Sequence, residues 1–200
     1  VYDNNDYFNN RTSEYTVLSR EGTVKLLVIP VWFNDSDVFF NESQKEQIVE
    51  DIEYTMSGNR PSTEFFSLKQ YYEKQSFGSI TMDITVSDFY NSNTSYQNYS
   101  DYVESKLYNT YTLCDNAVNW YFKNNTDESF DDYDLNGDGY VDGVILYYGA
   151  NYYGAQGDQN KSVAYATYAS ATSERVYNTL AFCPIGGLYG LSKKEPTTQL

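Results

Sequence analysis

The run Val24-Lys25-Leu26-Leu27-Val28-Ile29-Pro30-Val31-Trp32-Phe33 constrains the fold of this chain more than any other feature. It is apolar almost without interruption and rich in β-branched residues, the pattern of a strand buried on both faces. Such a strand needs a sheet with helices on its two sides. Pro30 removes one ladder donor and is therefore predicted at a bulge or a strand end. A second run of the buried type spans Val141 to Tyr148. Between the two, Ser79 to Phe89 alternates, with Ile80, Met82, Ile84 and Val86 opposite Thr81, Asp83, Thr85 and Ser87. That pattern predicts a strand with one wet face.

Helical spacing fills the intervals. Glu42 to Met56 carries Ile48, Ile52 and Met56 four residues apart, and Gly58-Asn59-Arg60-Pro61 ends it. A second helix is predicted from about Ser62 to Gly78, with Phe65, Phe66, Leu68, Tyr71 and Tyr72 as an aromatic stripe. Residues 90–98 read as a polar loop. A third helix, Tyr99 to about Asn124, carries Val103, Leu107, Tyr111, Cys114, Val118 and Tyr121. Weaker strand signals occur at Val163 to Tyr168 and Arg175 to Phe182, then a glycine-punctuated tail. The order predicts one α/β domain over residues 21–200, in two or three layers, with a mixed, mostly buried sheet and flanking helices. Residues 1–20 read as a polar linker or tail.

Composition then limits the chemistry. The 200 residues contain no histidine, which excludes from this chain a Ser-His-Asp or Cys-His nucleophile and a His-ligated zinc. A net charge of −15 repels phosphate backbones and argues against nucleic acid as a partner. No apolar run is long enough to span a membrane. N-x-S/T triplets begin at Asn10, Asn34, Asn41, Asn93, Asn98, Asn124 and Asn160, more than composition alone would give. With the Asn-, Ser- and Thr-rich composition they point to a secreted or cell-surface chain. It starts at Val1 without a leader, as a processed or trimmed chain would. Cys114 and Cys183 fit either one long-loop disulfide or two separate buried thiols.

The sharpest local signal is Asp134-Leu-Asn136-Gly-Asp138-Gly139-Tyr140-Val-Asp142. Oxygen-bearing side chains stand at loop positions 1, 3 and 5, a glycine at 6, a main-chain carbonyl at 7 (Tyr140) and a carboxylate at 9. This spacing curls a loop around Ca²⁺, which takes hard oxygens at about 2.4 Å. Position 12 is Ile145 rather than Glu, and a strand pattern comes after it, so the motif is not an EF-hand. A seventh or eighth oxygen must come from elsewhere, with Asp131 and Asp132 the nearest candidates. Gly186-Gly187-Leu-Tyr-Gly190 lacks dinucleotide-binding spacing, and no carboxylate pair stands out for glycoside hydrolysis. Tyr71, Tyr72, Tyr111 and Tyr121 read as core and core-rim packing rather than a sugar platform.

Three segments together carry a family resemblance: Lys25-Leu-Leu-Val-Ile-Pro-Val-Trp-Phe33-Asn-Asp35, Ser67-Leu-Lys-Gln-Tyr71-Tyr72-Glu-Lys-Gln-Ser76-Phe77-Gly78, and Asp132-Tyr-Asp134-Leu-Asn-Gly-Asp138-Gly-Tyr-Val-Asp142-Gly-Val-Ile-Leu. In this order they resemble the first half of immune inhibitor A-type metallopeptidases, over about residues 22–150; residues 151–200 match loosely. The resemblance implies a secreted, calcium-binding, zincin-like α/β domain acting on polypeptides. Its zinc helix, HExxH, would come after the region of Leu180 to Leu191. No HExxH precedes Leu200, so no zinc ligand or catalytic Glu carries over; only the calcium loop matches residue by residue. On this reading the domain is incomplete on its C-terminal side, structural Ca²⁺ is its own cofactor, Zn²⁺ belongs to the parent protein, and the remainder of the catalytic domain is a partner. Arg175 to Phe182 would form the sheet edge that pairs with an extended peptide. The alternative is a non-catalytic calcium-binding extracellular module, for binding or adhesion, on the same scaffold.

Overall fold

The computed structural model describes residues 18–19, 21–61, 65–96, 106–150, 165–168 and 176–189. Six strands form one sheet: β1 (Gly22–Trp32), β2 (Ile80–Val86), β3 (Tyr90–Asn91), β4 (Val141–Tyr148), β5 (Tyr165–Tyr168) and β6 (Tyr177–Pro184). Their order is β2-β1-β4-β6-β5, with β3 pairing β1 beyond the end of β2. All pairings are parallel except that of β5 with β6. Three helices are described: α1 (Lys45–Ser57), α2 (Leu68–Gln75) and α3 (Lys106–Asn124).

The two runs of buried type lie side by side, with Leu27 to Val31 in register with Val144 to Tyr148. Each is covered twice, because alternate residues of β1 face different helices. Leu27, Ile29 and Val31 pack with Val144, Leu146 and the α3 residues Leu113, Cys114, Ala117 and Val118. Val28 and Trp32 pack with Ile48, Ile52 and Met56 of α1. Val24, Leu26 and Met82 share that second face with Leu68 of α2 and with Leu18. The domain is therefore three-layered, a mixed α/β sheet between α3 and the α1–α2 pair. Lys25, the one charged residue in the run, keeps its stem in the sheet and its Nζ 4.3 Å above the Tyr133 ring, with Asp83 3.9 Å away.

Pro30 lies in mid-strand, opposite Tyr147, rather than at a strand end. Carbonyl directions explain why it is tolerated. Val31 accepts from Gly149 on the β4 side, whereas Val28 and Trp32 accept from Ser87 and Ser92 on the other. Alternation aims Pro30 at that other side, where residues 87–89 interrupt the pairing between β2 and β3. The missing N–H thus falls at a break in the neighbouring ladder. Tyr90–Asn91, read from sequence as loop, forms β3 because its two residues pair with Val31 and Trp32 beyond that break.

The second helix is shorter than its apolar pattern predicts. It starts only after Ser67, whose Oγ accepts from Gln70 N at 3.3 Å while Gln70 Oε1 accepts from Ser67 N at 3.2 Å. This reciprocal capping box sets the start more strongly than the aromatic run before it. Phe65 and Phe66 lie outside the helix and are exposed, and Tyr71 and Tyr72 are 49% and 44% exposed rather than core. Tyr121 is buried as expected, whereas the Tyr111 side chain lies outside the described residues. Ser67→Ala is expected to cost about 1 kcal/mol, read as a lower urea midpoint at unchanged slope.

No disulfide joins Cys114 and Cys183, because the sheet separates them: Cys114 packs on the α3 side, Cys183 on the α1 side. Burial pushes the Cys183 thiol up to about 12. Native protein at neutral pH should therefore resist alkylation until denaturant is added. Fast reaction of both thiols without denaturant would contradict their placement.

The segment expected as a peptide-binding sheet edge is not one. Thr179 to Phe182 pair with β4 on one side and with β5 on the other, so the edge next to them is β5. Arg175 lies outside the described residues. Among the described residues, no helix is long and apolar enough to cross a membrane.

Candidate metal centre

The loop between Tyr133 and β4 is fixed at both ends before its own chemistry begins. At its entry the Tyr133 ring is fully buried against Tyr121 and Phe122. Its hydroxyl lies 2.9 Å from Thr85 Oγ1, 3.0 Å from Glu128 Oε2 and 3.2 Å from Tyr121 Oη. At its exit Asp142 is the second residue of β4, held by the ladder. In between, the chain must reverse tightly, and Gly137 and Gly139 take φ of +73° and +87° to do it. A Cβ on either would meet nothing within 4 Å, so the demand for glycine is conformational rather than steric.

Five of the six sequence-predicted ligands are brought together. Asp134 accepts from Asp138 N at 3.0 Å and from Gly139 N at 2.7 Å. Asn136 Oδ1 also accepts from Asp138 N, at 2.9 Å, and Asp138 Oδ1 accepts from Tyr140 N at 3.1 Å. Across the loop, Asp142 accepts from Leu135 N at 3.2 Å and from Asn136 Nδ2 at 3.0 Å. Tyr140, whose carbonyl is the fifth expected donor, closes the curl. Asp132, the sixth, is exposed in a 3₁₀ turn (Phe130–Tyr133) beside exposed Asp131, and neither side chain hydrogen-bonds to the loop.

The electrostatics result from this crowding. Desolvation raises the Asp142 carboxyl above its ordinary value, and the neighbouring Asp134 and Asp138 charges push it the same way against the opposing Leu135 N–H. With the loop by itself, ionising Asp142 thus costs more than ionising a free carboxyl, a cost that a divalent cation would reduce.

The donor set is all oxygen: three carboxylates, one amide and one main-chain carbonyl. That chemistry suits Ca²⁺ and not a soft or imidazole-seeking ion. In this arrangement the carboxylates face the loop's own N–H groups. Among the described residues, no group of three or more His, Cys, Asp or Glu is placed to hold a metal. An ionised carboxylate has about four acceptor sites, so the hydrogen bonds leave capacity for an ion. Zinc does not fit, since the chain has no imidazole and no thiolate in the loop.

One residue that sequence reasoning missed also reaches the loop. Asn178, on β6, donates from Nδ2 to Asp138 Oδ2 at 2.9 Å. Its separation of forty residues left no local signal; only the shortfall in the loop's oxygen count pointed to a remote group. No protein-family model matches this chain, and a search of the curated proteins finds no match.

Proposed function

We propose that this chain is the amino-terminal part of a secreted, zincin-like zinc metallopeptidase domain of the immune inhibitor A type. It would carry a structural Ca²⁺ in the 134–142 loop and no zinc ligand of its own. Polypeptides would be substrates of the parent protein, and the remainder of the catalytic domain would be the partner of this chain.

One observation carries the reading that a packing element is missing. On the α1–α2 side, the amino-terminal halves of four strands form the floor of an open cavity of about 480 Å³. The floor comprises Ile80 and Met82, Val24 and Leu26, Gly143 and Ile145, and Thr179 and Ala181, with Leu68 and Tyr72 of α2 as a wall. Strands about 4.8 Å apart make this strip about 14 Å wide, the width that one helix of about 10–12 Å covers. Thr179 Oγ1 is buried there without a hydrogen-bond partner. Leu18 and Leu68 bury Val24, Leu26 and Met82 on one part of this face, whereas Ile145, Thr179 and Ala181 on the rest of it are only half-buried, and a sheet face this apolar belongs under a helix.

Two further features support the reading. The ordered motifs occupy β1, α2 and the calcium loop with β4, which are packed into one domain. Every described N-x-S/T asparagine, namely Asn34, Asn41, Asn93 and Asn124, is exposed, as glycan acceptors on a secreted protein must be. Asn10, Asn98 and Asn160 lie outside the described residues.

The test is to sequence the parent reading frame beyond Leu200 and to produce this chain with and without the segment encoded downstream. An HExxH shortly after Leu200, peptide hydrolysis only by the longer protein, and loss of apolar-dye binding when the extra segment is present would bear the proposal out. The chain alone should hydrolyse no peptide, with or without added zinc. A downstream sequence without HExxH would instead favour the non-catalytic calcium-binding module.

A further inference from the structure

The 134–142 loop holds the one Asn-Gly pair of the chain, Asn136-Gly137. An asparagine amide is an acyl group whose carbon can be reached by the main-chain nitrogen of the next residue, and closing that bond makes a five-membered imide. Most folded segments block the step, because the following side chain crowds the nitrogen and hydrogen bonds hold the main chain. Neither block is strong here. Asn136 and Gly137 are both exposed, and a Cβ built on Gly137 would meet nothing within 4 Å. Gly137 N donates to the Asp134 carbonyl at 3.3 Å, longer than the usual range of about 2.7–3.2 Å.

The loop also holds the amide by both ends. Asp138 N donates to Asn136 Oδ1 at 2.9 Å, which draws electron density from Cγ and would stabilise the oxyanion formed by addition there. Asn136 Nδ2, the nitrogen that would leave, donates to Asp142 Oδ1 at 3.0 Å. Asn91-Ser92 is the contrast within the same chain. Asn91 is likewise exposed and followed by a small residue, but it lies in β3, and Ser92 N donates to the Trp32 carbonyl at 2.9 Å. Its main chain is tied to the sheet, and the nitrogen that would attack is already committed.

We propose that Asn136-Gly137 is a self-modification site, at which the folded loop converts its own asparagine into aspartate and isoaspartate. Gly137 N forms a bond to Asn136 Cγ and gives its proton to water. The Cγ–Nδ2 bond breaks, and the nitrogen takes a proton from water and leaves as ammonia. Water then opens the imide. Cleavage between Cγ and Gly137 N gives aspartate, and cleavage between the Asn136 main-chain carbonyl carbon and that nitrogen gives isoaspartate. One water enters, one ammonia leaves, and nothing is oxidised or reduced. Either product replaces the donor that faces Asp142 with a carboxylate close to Asp134 and Asp142, and isoaspartate also lengthens the main chain of the turn. The conversion needs neither a bound ion nor a downstream segment.

Incubation of the full chain in EDTA at mildly alkaline pH, beside the same chain unfolded in guanidinium chloride, tests it. Peptide mapping by mass spectrometry should find residue 136 about one mass unit heavier, in two forms separable by chromatography. Its rate in the folded chain should lie within about tenfold of the unfolded rate, whereas folding should slow Asn91 by much more. Asn136→Gln, whose longer side chain would have to close a six-membered ring, should gain no acidic form over the same period. The acidic fraction of the unaltered chain, separated by its added negative charge, should melt roughly 2–4 °C lower. Slowing of residue 136 by more than tenfold on folding would overturn the proposal, since the loop would then shield its amide. An acidic form arising equally fast in Asn136→Gln would overturn it too, by placing the change elsewhere. With calcium absent throughout, neither result depends on whether the loop takes an ion.

Discussion

Gly149→Ala should lower the melting temperature by roughly 6–12 °C, the effect of about 3 kcal/mol in a domain of this size. The reason lies at the carboxyl ends of the two central strands. Ser36 is fully buried there, its Oγ accepting from Phe33 N at 2.8 Å and donating to the Gly149 carbonyl at 2.6 Å. Gly149 N in turn donates to the Val31 carbonyl at 2.8 Å. A Cβ on Gly149 would stand 2.5 Å from Ser36 Oγ and 2.9 Å from that carbonyl oxygen. The carbonyl belongs to the core of β1 and cannot withdraw, so the strand ends must separate or the serine must leave its two partners. Either outcome leaves buried polar groups unpaired, at about 1–3 kcal/mol each.

Gly143→Ala provides the control. Its Cβ would also meet a neighbour at 2.5 Å, but that neighbour is the end of the Leu26 side chain, with Leu18 next at 2.9 Å. Both line the open cavity and have room to turn into it. A loss within about 1 kcal/mol is expected, since a flexible side chain relieves what a backbone carbonyl cannot. Equal destabilisation by the two substitutions, measured by thermal and urea unfolding, would mean that the cavity is closed or that the Ser36 bridge is weaker than its geometry implies.

This contrast also shows where the sequence was legible and where it was not. The buried strands and the amphipathic α1 were readable because burial on two faces or on one stripe leaves a periodic signature in the residues themselves. Ser36 and Gly149 carried no such signature. Their importance comes from contact across 113 positions of chain, and a Ser in an Asn/Asp turn looks the same whether it is solvated or buried. The aromatic stripe of α2 misled for the complementary reason. Apolar spacing tells which residues share a face, not whether anything is packed against it, and Tyr71 and Tyr72 lie on a face left half open. The 134–142 loop lay between these cases. Its curl was readable because glycines and alternating oxygens are local requirements, whereas Asn178 arrives from another strand and is set by sheet register alone.

Saturating calcium should raise the melting temperature by roughly 5–11 °C, the effect of about 2.7 kcal/mol when the free ion is a hundredfold above its dissociation constant. Asp142→Asn should abolish most of that rise while making the metal-free protein slightly more stable. The two effects have one cause. In the folded chain Asp142 is desolvated and lies near Asp134 and Asp138, so its carboxyl is raised above 3.8. A raised carboxyl favours the fold when protonated. Its contribution is fully present below the unfolded value and is lost as pH rises through the folded one. Metal-free protein should therefore lose stability as pH rises from 3.8 through the raised folded value, and calcium should reverse that loss by occupying the site where the charges converge. Asp142→Asn removes the repulsion and the ligand together, flattening both the pH dependence and the calcium response. Thermal melts in EDTA and in calcium, each across that pH range, separate the possibilities. A calcium rise that survives in Asp142→Asn would place the ion elsewhere. If the unaltered chain shows no rise at all, the oxygens of Asp134, Asn136, Asp138 and Asp142 serve only to fold their own turn.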